Sequence, residues 1–122
     1  MAAHPRRILV GYDGSEAAGR ALVAAADLVG YGSTLSVVTV HPGEIDHAMT
    51  ADARDRLQRR HVDARYHEVH GAPAEQLVAK ANELGADLVV VGRRSRKPVR
   101  SLLGSVSATV VRSCACDVLV VQ

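Results

Sequence analysis

Short apolar runs with high β propensity alternate along this chain with segments whose apolar residues recur at helical spacing. The apolar runs are Ile8–Val10, Leu35–Val40, Val62–His70, Asp87–Gly92 and Asp117–Val121. Strands that alternate with helices in this way are typical of βαβ units, which build one parallel sheet with helices on both faces. The sequence therefore predicts an α/β protein with a single open five-stranded parallel sheet.

The segments between these runs predict four helices. Each has a recognisable start or stop, because small polar residues cap helices, proline fits the first turn and glycine ends the last one. The first helix follows a cap at Asp13 or Ser15, the second lies within 44–61, the third begins at Pro73 and ends at Gly85, and the fourth opens at Gly104 and Ser105.

The third run carries Arg65, His67 and Glu68, and charge of this kind suits the edge of a sheet. With that strand at one edge and right-handed crossovers, the strand order 3-2-1-4-5 is favoured. The winding then reverses between the first and fourth strands, where open α/β sheets bind ligands beyond the carboxyl ends. The loops at this point are Gly11–Ser15 and Gly92–Ser105.

The second of these loops carries five positive charges between Arg93 and Arg100. A strand, a basic loop and a Gly-Ser helix start together form a typical phosphate-binding arrangement, since helix N-terminal N–H groups and arginine side chains favour an anion. A solvated loop with arginines for solubility is the alternative. Because both special loops coincide with the winding reversal, we favour the phosphate site.

Composition limits the classes of protein that remain. A chain of 122 residues is the length of one domain, so we expect a single domain over 1–122. The only cysteines, Cys114 and Cys116, are too close in sequence for an unstrained disulfide, which favours a reducing, cytoplasmic location. No apolar run suits a signal peptide or a membrane span.

No catalytic set is visible in the sequence. It has no nucleophile-elbow or Walker signature and no carboxylate cluster for a metal beyond Asp13, so we expect a binding protein without enzymatic activity. The histidines form no convincing metal site. His41, near the carboxyl end of its strand, is a candidate for lining the ligand crevice.

Five stretches together resemble the universal stress protein family. They read Ile-Leu-Val-Gly-Tyr-Asp-Gly-Ser at 8–15, Gly-Ala-Pro-Ala-Glu-Gln-Leu-Val at 71–78, Ala-Asp-Leu-Val-Val-Val-Gly at 86–92, Gly-Ser-Val-Ser at 104–107 and Asp-Val-Leu-Val-Val at 117–121. The resemblance covers nearly the whole chain, and only the segment around 42–62 is short for the family. It implies a Rossmann-like fold of the adenine nucleotide alpha hydrolase type.

Family members that bind ATP carry Gly, two residues, Gly, nine residues and then Gly-Ser or Gly-Thr. Here Gly92 matches the first glycine, and Arg93 and Arg94 are the two spacers. Ser95 replaces the second glycine, and only eight residues separate it from Gly104. A Cβ at that position resists positive φ and the close approach of a phosphate, so the resemblance implies a degenerate phosphate loop.

The remaining site residues match the family better. Asp13, in the loop with Gly14 and Ser15, resembles the acidic residue beside the nucleoside, and Val40 resembles the residue whose backbone lies against adenine. Gly104, Ser105 and Val106 resemble the helix start that binds phosphate. The resemblance implies that the ligand is ATP or another adenine nucleotide, bound with or without Mg²⁺. It also implies that the protein is a stress-response module.

An alternative is a dimeric interaction protein of the same family that binds no nucleotide. The family's dimers often use the last strand, here Asp117–Val121, whose apolar residues would need covering at a sheet edge. This reading implies a homodimer and further protein partners. We expect no membrane association, and nucleic-acid binding is disfavoured because the basic loop lacks aromatic residues for base stacking.

Overall fold

The structure is a computed structural model that describes residues 6–30, 32–93 and 105–122. Within these ranges strands and helices alternate as the sequence predicts. The elements are β1 (Arg7–Gly11), α1 (Glu16–Leu28), β2 (Thr34–His41), α2 (His47–Gln58), β3 (Arg65–His70), α3 (Pro73–Leu84), β4 (Leu88–Gly92), α4 (Ser105–Ser113) and β5 (Asp117–Val121).

The five strands form one parallel sheet in the order β3-β2-β1-β4-β5, which confirms the predicted fold and strand order. In the central register, Val10 pairs with Val37 of β2 on one side and with Val90 of β4 on the other. The polar strand β3 lies at one edge, as its charges indicate, and β5 lies at the other.

Helices cover both faces of the sheet, and each face has its own core. On one face, α1 and α2 pack over side chains that include Ile8, Val10 and Val37. On the other face, α3 and α4 pack over side chains that include Leu9 and Val89. Successive side chains of a strand point to opposite faces, so the continuous apolar runs of β1 and β4 supply both cores.

Local capping decides where the helices begin and end. Ser15 caps α1, since its Oγ accepts a hydrogen bond of 3.1 Å from the Ala18 N–H. Gly85 ends α3 in the left-handed conformation, with φ of 63°. Helix α2 is shorter than the predicted range 44–61, because Asp46 is its N-cap and accepts from the Ala48 N–H.

No helix in the described part of the chain is long and apolar enough to cross a membrane.

Candidate functional site

The crevice where β1 and β4 end is the point at which the chain leaves the sheet in opposite directions. The two strands are adjacent and parallel, with Val10 opposite Val90. The chain continues from β1 into α1 on one face, and α4, which follows β4, packs on the other face. Such a reversal opens a crevice beyond the carboxyl ends of the strands. Both loops that the sequence analysis singled out start here.

The turn after β1 has a fixed conformation. The Asp13 Oδ1 accepts a hydrogen bond of 3.0 Å from the Ser15 N–H, which forms an Asx turn. Gly14 has φ of +83°, a conformation that side chains with a Cβ rarely adopt. Asp13 and Gly14 are exposed, whereas Ser15 is engaged as the cap of α1. The predicted site residues of this loop are therefore held in one compact turn at the crevice.

Gly92, the last residue of β4, lies directly against the backbone of α1. A Cβ built on Gly92 would lie 2.5 Å from the carbonyl carbon and oxygen of Ala17 and 2.8 Å from the Ala18 nitrogen. The residue is therefore required by helix packing, a reason that the motif alone does not reveal. The Arg93 N–H donates to the Val121 carbonyl of β5 at 2.8 Å, which fixes the backbone position of Arg93 directly after β4. Arg93 is half-buried.

The backbone of Val40 projects past the end of β1. The ladder between β1 and β2 closes with the Tyr12 N–H donating to the Val38 carbonyl at 2.9 Å. Peptide groups alternate in direction along a strand, so the Val40 N–H and C=O point to the same side as those of Val38. Because β1 has ended there, these groups face the crevice, while Val40 pairs with Val69 on the β3 side.

Helix α4 completes the far side of the crevice. Ser105 is its first residue, and Val106 is half-buried against the core under α3 and α4. The predicted site residues Arg94, Ser95 and Gly104 lie outside the described residues, as does the Ser105 side chain. At the carboxyl ends of the strands the structure thus brings together the remaining predicted site residues and the start of α4. These residues are Asp13, Gly14, Ser15, Val40, Gly92 and Arg93.

A polar cluster behind the β1 turn was not singled out from the sequence. The buried Tyr12 donates its hydroxyl to Asp52 of α2, and the Arg56 Nε donates to the same carboxylate at 3.1 Å. Burial and the Asp52 hydrogen bond raise the pKa of Tyr12 to about 12. The hydrogen bond from Tyr12 holds the pKa of Asp52 below its usual value. The only sequence signal is a tyrosine at a strand end and an i,i+4 Asp–Arg pair, and nothing local connects them.

His41 does not line the crevice in the way the sequence suggested. Its side chain is 3% exposed and belongs to a hydrogen-bonded chain under α2. The Asp46 N–H donates to His41 Nδ1 at 3.2 Å, so Nε2 carries the proton and donates to the Thr39 hydroxyl at 2.9 Å. Thr50 links Thr39 to the Glu68 carboxylate, at 3.2 Å and 2.8 Å. His41 therefore anchors α2 to β2.

Thiol and metal chemistry find no support in the described residues. Cys114 and Cys116 are free, and burial followed by the neighbouring Cys116 raises the pKa of the Cys114 thiol to about 11. A thiol with so high a pKa is a poor nucleophile at neutral pH. No group of three or more His, Cys, Asp or Glu side chains within 6–30, 32–93 and 105–122 is arranged to hold a metal ion.

Comparison with known proteins places the chain in a family. The family model described as the universal stress protein family matches residues 4–59 and 43–122. The two matches overlap within the segment that the sequence analysis found short for the family. Universal stress protein Rv1636 of Mycobacterium tuberculosis is 30% identical, with 96% of each chain covered. A universal stress protein of Thermus aquaticus is 33% identical, covering 96% of this chain and 98% of its own.

Solved structures agree with this similarity. A universal stress protein crystallised in complex with cAMP is 34% identical, covers 96% of both chains and superposes with a TM-score of 0.83. The crystal structure of Rv1636 is 31% identical, covers 100% of this chain and 98% of its own, and has a TM-score of 0.68. Since the family model and these relatives match over almost its whole length, the chain belongs to the universal stress protein family.

Proposed function

We propose that this protein binds an adenine nucleotide in the crevice between β1 and β4 and acts as a stress-response module through that binding. One observation carries the proposal. The Asp13–Ser15 turn, the Val40 backbone, Arg93 and the start of α4 all lie at the carboxyl ends of the strands. The relative that was crystallised with cAMP, at 34% identity, supports the same class of ligand.

Each part of the crevice suits one part of a nucleotide. The Val40 N–H and C=O form a donor and acceptor pair with the spacing of a strand edge, which matches the polar edge of adenine. The exposed Asp13 carboxylate suits the ribose hydroxyls, as acidic residues do in other dinucleotide-binding folds. Arg93 and the N-terminal N–H groups of α4 suit a phosphate.

The degenerate loop favours binding without turnover. Ser95 stands where family members that bind ATP have glycine, and the loop is one residue shorter, so a Cβ resists the close approach of a phosphate to the main chain. Hydrolysis also requires groups aimed at the charge that develops in the transition state. We therefore assign no catalytic residue, and expect the nucleotide to act through the protein's conformation or assembly.

Calorimetric titration of nucleotide-stripped protein with ATP and with AMP tests this proposal. We expect saturable binding with Kd in the micromolar range, about −8 kcal/mol. Arg93→Ala should weaken ATP more than adenosine, and Arg112→Ala, at an exposed arginine near the other end of α4, should leave both unchanged. The absence of both binding heat and a thermal shift at millimolar ATP would contradict the proposal.

A second function, assembly into a homodimer, is favoured by one observation. Strand β5 is an edge strand of the sheet and carries Leu119, one of the exposed large apolar side chains of the described residues, at 37% exposure. An apolar sheet edge is an open template for pairing, and a second copy related by a two-fold axis would cover it. This function does not exclude nucleotide binding.

A further inference from the structure

A cavity lies at the amino ends of the strands, whereas the crevice proposed for the nucleotide lies at their carboxyl ends. It has a volume of about 270 Å³ and opens beside the amino ends of β1, β2 and β3, next to the last turn of α3. None of the residues proposed for nucleotide binding lines it. Any ligand of this cavity would therefore be separate from the proposed nucleotide.

The strand register explains which side chains line the cavity. Leu9, Ser36 and Arg65 are aligned across β1, β2 and β3, and Leu9 belongs to the core under α3. Aligned residues of parallel strands point to the same face, so Ser36 and Arg65 also face α3. Arg7 and Thr34 are aligned with each other two positions earlier, on the same face. Two guanidinium groups and two hydroxyls thus surround an apolar floor.

The two guanidinium groups of this cavity have no ion-pair partner among the described residues, although the Asp87 carboxylate accepts the Arg7 backbone N–H at 2.7 Å. None of the lining residues is acidic. Other arginines of the same protein are paired: Arg59 with Asp55 at 2.6 Å and Arg60 with Asp27 at 3.7 Å. The cavity therefore brings together two arginine side chains that form no ion pair in the described part of the chain.

Arg7 has a second structural role besides lining the cavity, whereas the described residues show no such role for Arg65. A Cβ built on Gly85 would lie 3.0 Å from the Arg7 NH1, so Arg7 also lies at the C-terminus of α3, where a cation is favoured by the helix dipole. Arg65 has no ion pair with a described residue. Burial and then the charge of Lys80 lower the pKa of His67 on the same face of β3, and the charge of Arg65 adds a smaller effect in the same direction. Arg65 is consequently the more specific probe of the cavity.

We propose that this cavity binds a small organic anion through its phosphate or carboxylate group. Guanidinium forks match both oxyanions in a bidentate geometry, and the Thr34 and Ser36 hydroxyls add donors. The apolar floor, which includes Leu9 and Leu84, suits a short carbon skeleton. The volume of about 270 Å³ is slightly below that of pockets for drug-sized ligands, which favours a small anion as the ligand.

Nuclear magnetic resonance of the whole 122-residue chain, titrated with inorganic phosphate and separately with succinate at constant ionic strength, tests this inference. We expect saturable shifts of the Ser36 and Arg65 amides. Arg65→Gln and Arg7→Gln should each weaken binding by tenfold or more. The matched control Arg59→Gln, which changes an exposed arginine directly after α2, should stay within twofold. The anion that binds more tightly identifies the phosphate or carboxylate class.

Several results would overturn the inference. Shifts confined to Gly14 and Val106 would mean that anions bind only at the nucleotide crevice. An equal loss in the Arg59→Gln variant would mean non-specific attraction. The absence of saturation by either anion would mean that the cavity binds neither class. Because the two sites report through different amides, failure here is distinguishable from failure of the nucleotide proposal.

Discussion

Gly92 shows how one atom can decide whether a helix packs on a sheet. A Cβ on Gly92 would lie 2.5 Å from the α1 backbone, which cannot move without shifting the helix. We expect Gly92→Ala to lower the free energy of unfolding by about 1–3 kcal/mol, as overpacking does. Urea denaturation measures this difference. Gly43→Ala is the matched control, because a Cβ there meets nothing within 4 Å; an equal loss in both variants would contradict the packing argument.

Tyr12 connects the site turn to α2 through a single hydroxyl. Tyr12→Phe keeps the buried ring and removes its hydrogen bond to Asp52. We expect a loss of about 1–2 kcal/mol in the free energy of unfolding, since the acceptor is charged. Thermal and urea unfolding would measure it. Tyr66→Phe is the control, because its hydroxyl has no hydrogen bond to a described residue; an equal loss in that variant would mean that the bond to Asp52 is not what stabilises the protein.

Helix α2 is held to β2 and β3 by the hydrogen-bonded chain from His41 to Glu68. Hydrogen bonds from Thr50 and His47 keep the pKa of Glu68 below its usual value. Thr50→Val should therefore raise the Glu68 pKa and destabilise the protein, because Glu68 loses a hydrogen-bond donor and the buried Thr39 hydroxyl loses a hydrogen-bond partner. Carboxyl titration by nuclear magnetic resonance measures the pKa. Thr50→Ser keeps the hydroxyl and should keep the pKa low; a raised value in that variant would contradict this interpretation.

The packing of β3 against α3 makes stability depend on pH. Burial, followed by the charge of Lys80, lowers the pKa of His67, and its Nε2 has no hydrogen-bond partner among the described residues. The folded pKa is then below the unfolded value of 6.5, so the stabilisation is present above pH 6.5 and is lost as the pH falls through the folded pKa. Unfolding free energies measured from pH 8 to pH 5 should fall more steeply in the wild-type protein than in His67→Gln. Parallel curves would contradict this assignment.

The sheet of the whole molecule ends at β5, and a second copy would extend it. We expect the mass from light scattering to be that of a dimer at micromolar concentration. Leu119→Lys should shift it to a monomer, because a charge on an apolar edge opposes pairing. Leu28→Lys changes an apolar side chain of similar exposure, 44%, on α1 and is the control. A wild-type monomer, or equal masses for the wild-type protein and Leu119→Lys, would count against assembly through β5.

Much of the fold was predictable from the sequence because the signals that define it are local. Apolar runs, the Ser15 cap, Pro73 and Gly85 act within one helical turn or one strand, and right-handed crossovers leave few strand orders. The crevice followed from that strand order. The charged edge strand was located by its composition, and α2 lies within the predicted range 44–61, although the sequence did not mark Asp46 as the cap at which it starts.

Only the tertiary structure decided the contacts between residues far apart in sequence. The sequence marks Gly92 but does not show that Ala17 lies against it, and nothing local joins Tyr12 to Asp52 or Thr50 to Glu68. The cavity between Arg7 and Arg65 exists because the register places their strands on either side of β2. The sequence by itself determined the elements, their order and the end of the sheet at which we propose that the nucleotide binds, because hydrophobic period and capping are local. The contacts between residues far apart in sequence were determined by strand register and helix packing, because both depend on how the helices and the sheet fit together in the folded protein.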